Sequence, residues 1–219
     1  MTQFTTWDIV RNLLIAAEWT ILLSLVAFLG GAVVGALALY ARTSKNAAAR
    51  RLAIGYIELF QGTPLLMQLF LSFFGLSLLG LNVPPWLAAG LSLILWTGAF
   101  LAEIWRGCVE AIAKGQWEAS SSLAMSYFEQ MRHVILPQAL RIAVPPTVGF
   151  SVQVVKATAL TSIIGFVELS KAATMITNAT FQPFVVYGVA ALIYFALCWP
   201  LSKSSQLLER KLNVAHRNH

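Results

Sequence analysis

From residue 59 to residue 102 the chain contains no Asp, Glu, Lys or Arg, a run of 44 residues. About 20 apolar residues cross the hydrocarbon core of a bilayer, so a run of this length holds two crossings. It divides at Leu81-Asn82-Val83-Pro84-Pro85, where Asn and paired prolines favour a turn and a regular helix cannot continue. A second uncharged run, residues 19–41, supplies another crossing. A fourth apolar stretch, 143–167, is interrupted by Lys156, and a fifth, 184–201, lies inside an uncharged run from 172 to 202. Composition agrees: 58% of the 219 residues are hydrophobic and 11% charged, against roughly 25% charged in soluble domains. A soluble globule of this size buries only about 70% of its chain surface. A soluble enzyme, a disordered chain and a secreted disulfide scaffold are therefore excluded. The expectation is an all-α integral membrane protein, one domain over 1–219. Its five transmembrane helices fall at about 19–41, 59–79, 86–106, 143–167 and 184–201, with Trp86 at the interface where the third begins.

The 15 Lys and Arg residues give an orientation. Twelve lie on one side: Arg42, Lys45, Arg50, Arg51, Arg106, Lys114, Arg132, Arg141, Lys203, Arg210, Lys211 and Arg217. Arg11 and Lys171 lie on the other, and Lys156 falls within a span. Cytoplasmic loops of membrane proteins concentrate Lys and Arg, which places the N-terminus outside and the C-terminus inside. The same rule explains the net charge of +6 without a nucleic-acid partner. Asp8, Arg11 and Glu18 do not make the basic start of a cleavable signal peptide. Gly31 and Gly35 form a Gly-x-x-x-Gly pair beside Gly30, suited to close approach of another helix. Cys108 and Cys198 have no motif spacing and read as small packing residues.

Catalytic and metal-binding patterns are missing from the sequence. Two of the three histidines, His133, His216 and His219, lie in a polar tail, so no zinc site or histidine relay forms inside the membrane. There is no phosphate-binding Gly-x-x-x-x-Gly-Lys-Ser/Thr run and no serine elbow. Any energy source must then come from a partner or an ion gradient. Glu103 is the single carboxylate expected at membrane depth, and Arg106 three residues later pairs with it on a helix.

Residues 110–146 are far too many for a connector, since links between bundle helices take about 2–8 residues. They begin with a small-residue helix, Gly115-Gln116-Trp117-Glu118-Ala119-Ser120-Ser121-Ser122-Leu123-Ala124-Met125-Ser126. An amphipathic stretch with Phe128, Met131 and Ile135 follows, and Pro137 is expected to interrupt it. Such a helix can dock in the groove of another protein or lie on lipid headgroups.

This segment resembles the coupling loop of ATP-binding-cassette (ABC) importer permeases. Their signature is Glu-Ala-Ala, three residues, Gly, nine residues, then Ile-x-Leu-Pro. Glu118-Ala119-Ser120, Ala124 and Val134-Ile135-Leu136-Pro137 fall on that spacing. Glu58-Leu59-Phe60-Gln61-Gly62-Thr63-Pro64-Leu65-Leu66 is similar to the Glu-x-x-Arg-Gly-Thr-Pro-Leu-Leu of permeases for polar amino acids (the histidine, glutamine, glutamate and arginine type). Ala102-Glu103-Ile104-Trp105-Arg106-Gly107, Lys156-Ala157-Thr158-Ala159-Leu160 and Ile164-Gly165 fit the same subfamily. The resemblance covers roughly residues 15–205. Four positions depart from it: Ser120 for Ala, Ala124 for Gly, Gln61 for Arg, and Ala157 where an acid is frequent. Ala124 is expected to stiffen a place where Gly allows a bend.

The resemblance implies a type I ABC importer permease fold with a cytoplasmic coupling loop at about 110–141. It implies a multi-pass subunit of the bacterial cytoplasmic (inner) membrane that forms the pathway by alternating access and is not itself an enzyme. The implied partners are a second permease copy, identical or related, two ATP-binding subunits and an external substrate-binding protein. The chain would carry no cofactor or metal, with ATP and Mg on the partner ATPase. Gly115, Gln116, Glu118, Ala119, Ala124 and Met125 would couple to that ATPase. Thr63 can cap a helix opened by Pro64, and Gly62 permits a bend before it; the three mark either a hinge or a simple helix start. Lys156 lies about 13 residues into its stretch, roughly 20 Å from the cytoplasmic start. It either snorkels to the outer interface or meets a substrate carboxylate in the pathway, with Gln153, Thr158, Thr161 and Ser162 offering hydrogen bonds. With Ala157 beside it, a neutral or acidic amino acid fits better than a basic one. An ion-coupled carrier or channel is the alternative, and a membrane enzyme a third reading.

Overall fold

The computed structural model describes residues 5–44 and 46–217, with side chains to residue 212. Lys45 and His219 of the readings above lie outside it, as do the side chains of His216 and Arg217. The described chain is helical throughout. Helix α1 spans Thr6–Thr43, entered through a capping box of Thr5 and Asp8. Its 38 residues make about 57 Å at 1.5 Å per residue, well beyond the roughly 30 Å hydrocarbon core. The first span is thus part of a longer helix. Asp8, Arg11 and Glu18 do not end it, because Ile9, Leu13, Ala16 and Ala17 on its other face are buried against later helices.

Residues 43–56, which fall between the first two expected spans, hold most of a second helix. Helix α2, Ala47–Gly62, starts where the Asn46 side chain accepts from the backbone N–H groups of Ala48 and Ala49. Helix α3, Leu65–Leu78, leaves α2 at 105°, so the expected span 59–79 is not one straight helix. The break is carried by Thr63 (φ −115°, ψ 142°) and Pro64 (φ −61°, ψ 133°), both extended. Two details of the sequence reading are corrected here. Thr63 does not cap α3: its hydroxyl donates back to the Leu59 carbonyl, and Pro64 holds the cap position without a side-chain bond. Gly62 stays helical, so it does not make the bend. Helix α4, Pro85–Glu110, opens on the proline pair as expected.

Helix α5, Lys114–Ser122, is short and polar. Helix α6, Tyr127–Ile164, follows a Ser126–Glu129 capping box and runs for 38 residues. Pro137 does not interrupt it. A π turn at Gln130–Ile135 widens the helix so that the Leu136 N–H reaches the Met131 carbonyl, and the Gln138 amide fills the Val134 carbonyl. The wider turn makes room for a ring that lacks an N–H and crowds the preceding turn. Pro145 and Pro146 are absorbed as well, with the Ser205 hydroxyl donating 2.8 Å to the Pro145 carbonyl. The last turns, Thr158–Ile164, tighten to 3-10 and stop at Gly165, φ 90°. Helix α7, Leu169–Thr180, and helix α8, Pro183–Arg217, complete the chain. Among the described residues four helices are long and apolar enough to cross a membrane, and five spans result if the bent pair α2–α3 counts as one.

Two apolar clusters organise the bundle. The larger joins Leu23 and Ala27 of α1, Leu65 and Leu69 of α3, Leu93 and Leu101 of α4, and Phe150, Val154 and Ile164 of α6. The other joins Ile9, Leu13 and Ala17 of α1 to Leu169 and Ala173 of α7 and Val186 and Ala190 of α8. The Gly pair does what its spacing suggests. A Cβ on Gly31 would lie 2.5 Å from Thr97 Cγ2, and one on Gly35 2.9 Å from the Gly98 carbonyl oxygen, so α1 and α4 touch nearly backbone to backbone.

Candidate functional site

The coupling-loop residues sit on a small projecting unit. Ile112, Ile135 and Ala139 form its buried core, with Trp117, Met131 and Val134 packed around them. Gly115, Gln116, Glu118, Ala119 and Ala124 are exposed on α5 and its end, and Met125 is half-buried. Leu123, Tyr127 and Phe128 are more than half exposed beside them. The buried Gln130 amide donates to Ser121 Oγ (3.1 Å) and the Met125 carbonyl (2.8 Å), and the Gln138 amide donates to Gln116 (3.2 Å). At the start of α6, outside the apolar stretch, Ser126 donates to Glu129 through hydroxyl and backbone, which holds that carboxyl below the usual glutamate range.

Ala124 corrects the sequence reading. It does not stiffen the loop but turns it, with φ 56°. The Ala124 N–H bonds to the Ser121 carbonyl and the Met125 N–H to the Ser120 carbonyl, the two bonds of a Schellman C-cap, whose left-handed position is usually Gly. The resembled signature has Gly here, and this chain makes the same turn with a methyl group.

The five proposed substrate residues divide. Gln153 and Lys156 are exposed on one face of α6, three residues apart. Among the described residues Lys156 has no ion-pair partner. Thr158 and Thr161 are fully buried on the opposite side, donating to the Val155 and Thr158 carbonyls, and Ser162 is half-buried. An open apolar cleft of about 670 Å³ between Trp19, Trp86, Phe166 and Met175 includes none of the five.

The break between α2 and α3 is held by side-chain amides. Gln68 Nε2 donates to the Phe60 carbonyl (3.0 Å), the Thr63 carbonyl (3.1 Å) and Thr63 Oγ1 (2.9 Å), taking up groups the end of α2 leaves unpaired. Gln61, in the place of Arg, donates to the Ala99 carbonyl of α4 at 3.1 Å. At the same end of the bundle, Glu103 pairs with Arg106 as the sequence suggests. It also meets Arg42 of α1 at 2.9 Å, while Arg106 reaches Glu110.

Glu103 is not the only acid within the bundle. Glu168 is fully buried. Its carboxylate accepts from the Lys171 N–H (2.9 Å), the Tyr194 hydroxyl (2.8 Å) and the Thr20 hydroxyl (3.4 Å). Thr20 Oγ1 in turn accepts from the Leu169 N–H (3.1 Å), and Ser170 and Tyr194 hydroxyls pair at 2.9 Å. The available signal in the sequence was an acid standing three residues before the N–H it caps.

The profile of the family described as "Binding-protein-dependent transport system inner membrane component" matches residues 27–214. The chain belongs to that family. As a member, this permease is 36% identical to the probable amino-acid ABC transporter permease protein YckA of Bacillus subtilis (strain 168), over 96% of this chain and 98% of that one. It is 33% identical to the glutamine transport system permease protein GlnP of Escherichia coli (strain K12), over 95% and 96%. The crystal structure of an amino acid ABC transporter with histidines superposes on the permease with a TM-score of 0.89 at 33% identity, covering 92% of this chain and 94% of that one.

Proposed function

We propose that this chain is the transmembrane permease subunit of an ATP-driven importer for a polar amino acid. The observation that carries the reading is the projecting unit of α5 and Ala124. A short helix with Glu118 and Ala119 exposed, closed by a left-handed turn at the place of the signature glycine, is shaped for a partner's groove. Relatives named for amino-acid and glutamine transport support the substrate class. The subunit has five spans, counting α2–α3 as one, with the N-terminus outside the bacterial cytoplasmic membrane and the α5 end inside. Two copies, identical or related, enclose the pathway. Two ATP-binding subunits, which hold ATP and Mg and perform the hydrolysis, dock at Gly115, Gln116, Glu118, Ala119, Ala124 and Met125. An external binding protein delivers substrate. This chain itself does no covalent chemistry.

Within it, Gln153 and Lys156 form the polar face offered to the pathway. A charge at membrane depth is costly unless it meets water or a partner, and Lys156 has no carboxylate partner within the described chain. The α-carboxylate of a substrate answers that need. Thr158, Thr161 and Ser162 support the same turn of α6, and Thr63–Pro64 is the joint at which the second span flexes. Moving a 1:99 conformer ratio to 99:1 takes about 5.5 kcal/mol of differential affinity, which ATP binding at the coupling surface supplies. Nothing observed favours an ion-coupled carrier or channel. The test is ATP hydrolysis by the complex in liposomes with glutamine, glutamate, histidine or arginine. Stimulation by one of them that needs this chain supports the reading; uptake driven by an ion gradient without ATP overturns it.

A further inference from the structure

The transport reading leaves Glu168 without a task, yet its surroundings are highly specified. Its three donors come from three separate stretches of chain: Thr20 of α1, Tyr194 of α8 and the first turn of α7. All are set within the apolar cluster of Leu13, Ala17, Leu169, Ala173 and Val186. A buried carboxylate surrounded by donors stays only where its lone pairs are satisfied. Among the described residues, its polar contacts are all hydrogen-bond donors and none is a cation. The arrangement is therefore a knot rather than a cation site.

The knot stands immediately after the reversal that ends α6. The 3-10 turn Thr158–Ile164 stops at the left-handed Gly165, and three residues later Glu168 is tied to two other helices. The end of α6 is fixed from both sides: Ile164 and Leu160 sit in the larger cluster, and Glu168 and Leu169 in the knot. Lys156 lies two residues before that turn. Its depth and the direction of its face follow from where the reversal is held.

We propose that Glu168 is a positioning residue: by hydrogen bonding the start of α7 to Thr20 and Tyr194, it sets the place of the Gln153–Lys156 face of α6 and so the affinity for substrate. The role is one of hydrogen bonds and not of charge. A Gln at 168 keeps an acceptor for the Lys171 N–H, while its amide N–H groups can donate to the Tyr194 and Thr20 oxygens once those hydroxyls rotate. The Tyr194 hydroxyl then turns to Ser170. An Ala at 168 takes the acceptor from the Lys171 N–H and the Thr20 hydroxyl in an apolar cluster and leaves Tyr194 only Ser170.

The substrate arm of this inference rests on the permease reading, and the structural arm does not. In the complete complex in nanodiscs, hydrogen exchange of residues 169–180 should speed at least tenfold in Glu168→Ala and return near the native rate in Glu168→Gln. For whichever of L-glutamine, L-glutamate and L-histidine the native complex takes up, Glu168→Ala should raise KM at least tenfold with basal ATP hydrolysis unchanged, Tyr194→Phe about threefold, and Glu168→Gln less than twofold. Should the alanine complex fail to assemble, Tyr194→Phe and Thr20→Val carry the same comparison. A Gln variant as poor as the Ala variant overturns the proposal in favour of a charge-dependent role. Native KM in assembled Glu168→Ala, or in both single-donor variants, overturns it as well. If the native complex takes up none of the three, the permease reading is what has failed, and the exchange rates still decide the knot: unchanged exchange in Glu168→Ala overturns it.

Discussion

Ala124 holds a backbone conformation, φ 56°, that costs an L-residue roughly 1–2 kcal/mol and glycine almost nothing. Both Schellman bonds depend on it. Ala124→Gly should therefore stabilise the permease by about 1 kcal/mol, raising its thermal unfolding midpoint in detergent. Ala124→Val should lower it, because a β-branched side chain is less tolerant of that region. A bulky residue at the neighbouring Ala119, where the backbone is ordinary helix, should leave the midpoint unchanged and uncouple hydrolysis from uptake. Normal uptake by the bulky variants would remove the docking role from α5. Lys156 gives the second prediction at this scale. A hydrogen bond to a charged group is worth about 1.5–3 kcal/mol, so Lys156→Gln should raise the KM for the cognate amino acid by tenfold or more. Assembly and basal hydrolysis should not change. Unaltered uptake kinetics would return Lys156 to an interfacial, snorkelling role.

Between elements, the tightest contact is the crossing of α1 and α4. The neighbour of a Cβ at Gly35 would be the Gly98 carbonyl oxygen at 2.9 Å, a backbone atom with no rotamer to move. Gly35→Ala should push the helices apart and destabilise by about 1–3 kcal/mol. Gly107→Ala in α4 meets nothing within 4 Å and should instead stabilise by up to about 1 kcal/mol, the helix preference of Ala over Gly. Matching thermal midpoints for the two variants would refute the crossing. The Gly-x-x-x-Gly contact was legible because it depends on spacing alone, and so was the break at Thr63–Pro64. The full length of α1 was not, since Asp8, Arg11 and Glu18 mark only its solvent face while Ile9 and Leu13 are buried behind them. Pro137 misled because the π turn that accommodates it has no composition of its own. Ala124 misled because a left-handed turn is announced by Gly or not at all. For Glu168 the sequence showed only its capping position, because its partners Thr20 and Tyr194 are 148 and 26 residues away in sequence.

Across the whole molecule, one end of the bundle gathers the ends of α1 and α4, the start of α2, all of α5 and the far end of α8. The contacts show this directly, with Arg42 against Glu103, Gln116 against Gln138 and Ser205 against Pro145. Arg42, Arg50, Arg51, Arg106, Lys114, Arg132, Lys203, Arg210 and Lys211 belong to that end, whereas Arg11 and Lys171 belong to the other. A bilayer reads such an asymmetry as direction, with the basic end retained in the cytoplasm. The docking proposal requires this direction, because ATP-binding subunits can reach α5 only from inside. Asn82 and Asn178 are exposed at the sparsely charged end, and Asn46 and Ser121 at the basic end. Single cysteines at the four positions, with Cys108 and Cys198 replaced by Ser, separate the two orientations. In intact cells a membrane-impermeant maleimide should label Asn82→Cys and Asn178→Cys, and should label Asn46→Cys and Ser121→Cys only after permeabilisation. The reverse pattern would put α5 outside the cell, beyond the reach of cytoplasmic ATP, and would overturn the orientation together with the coupling role built on it.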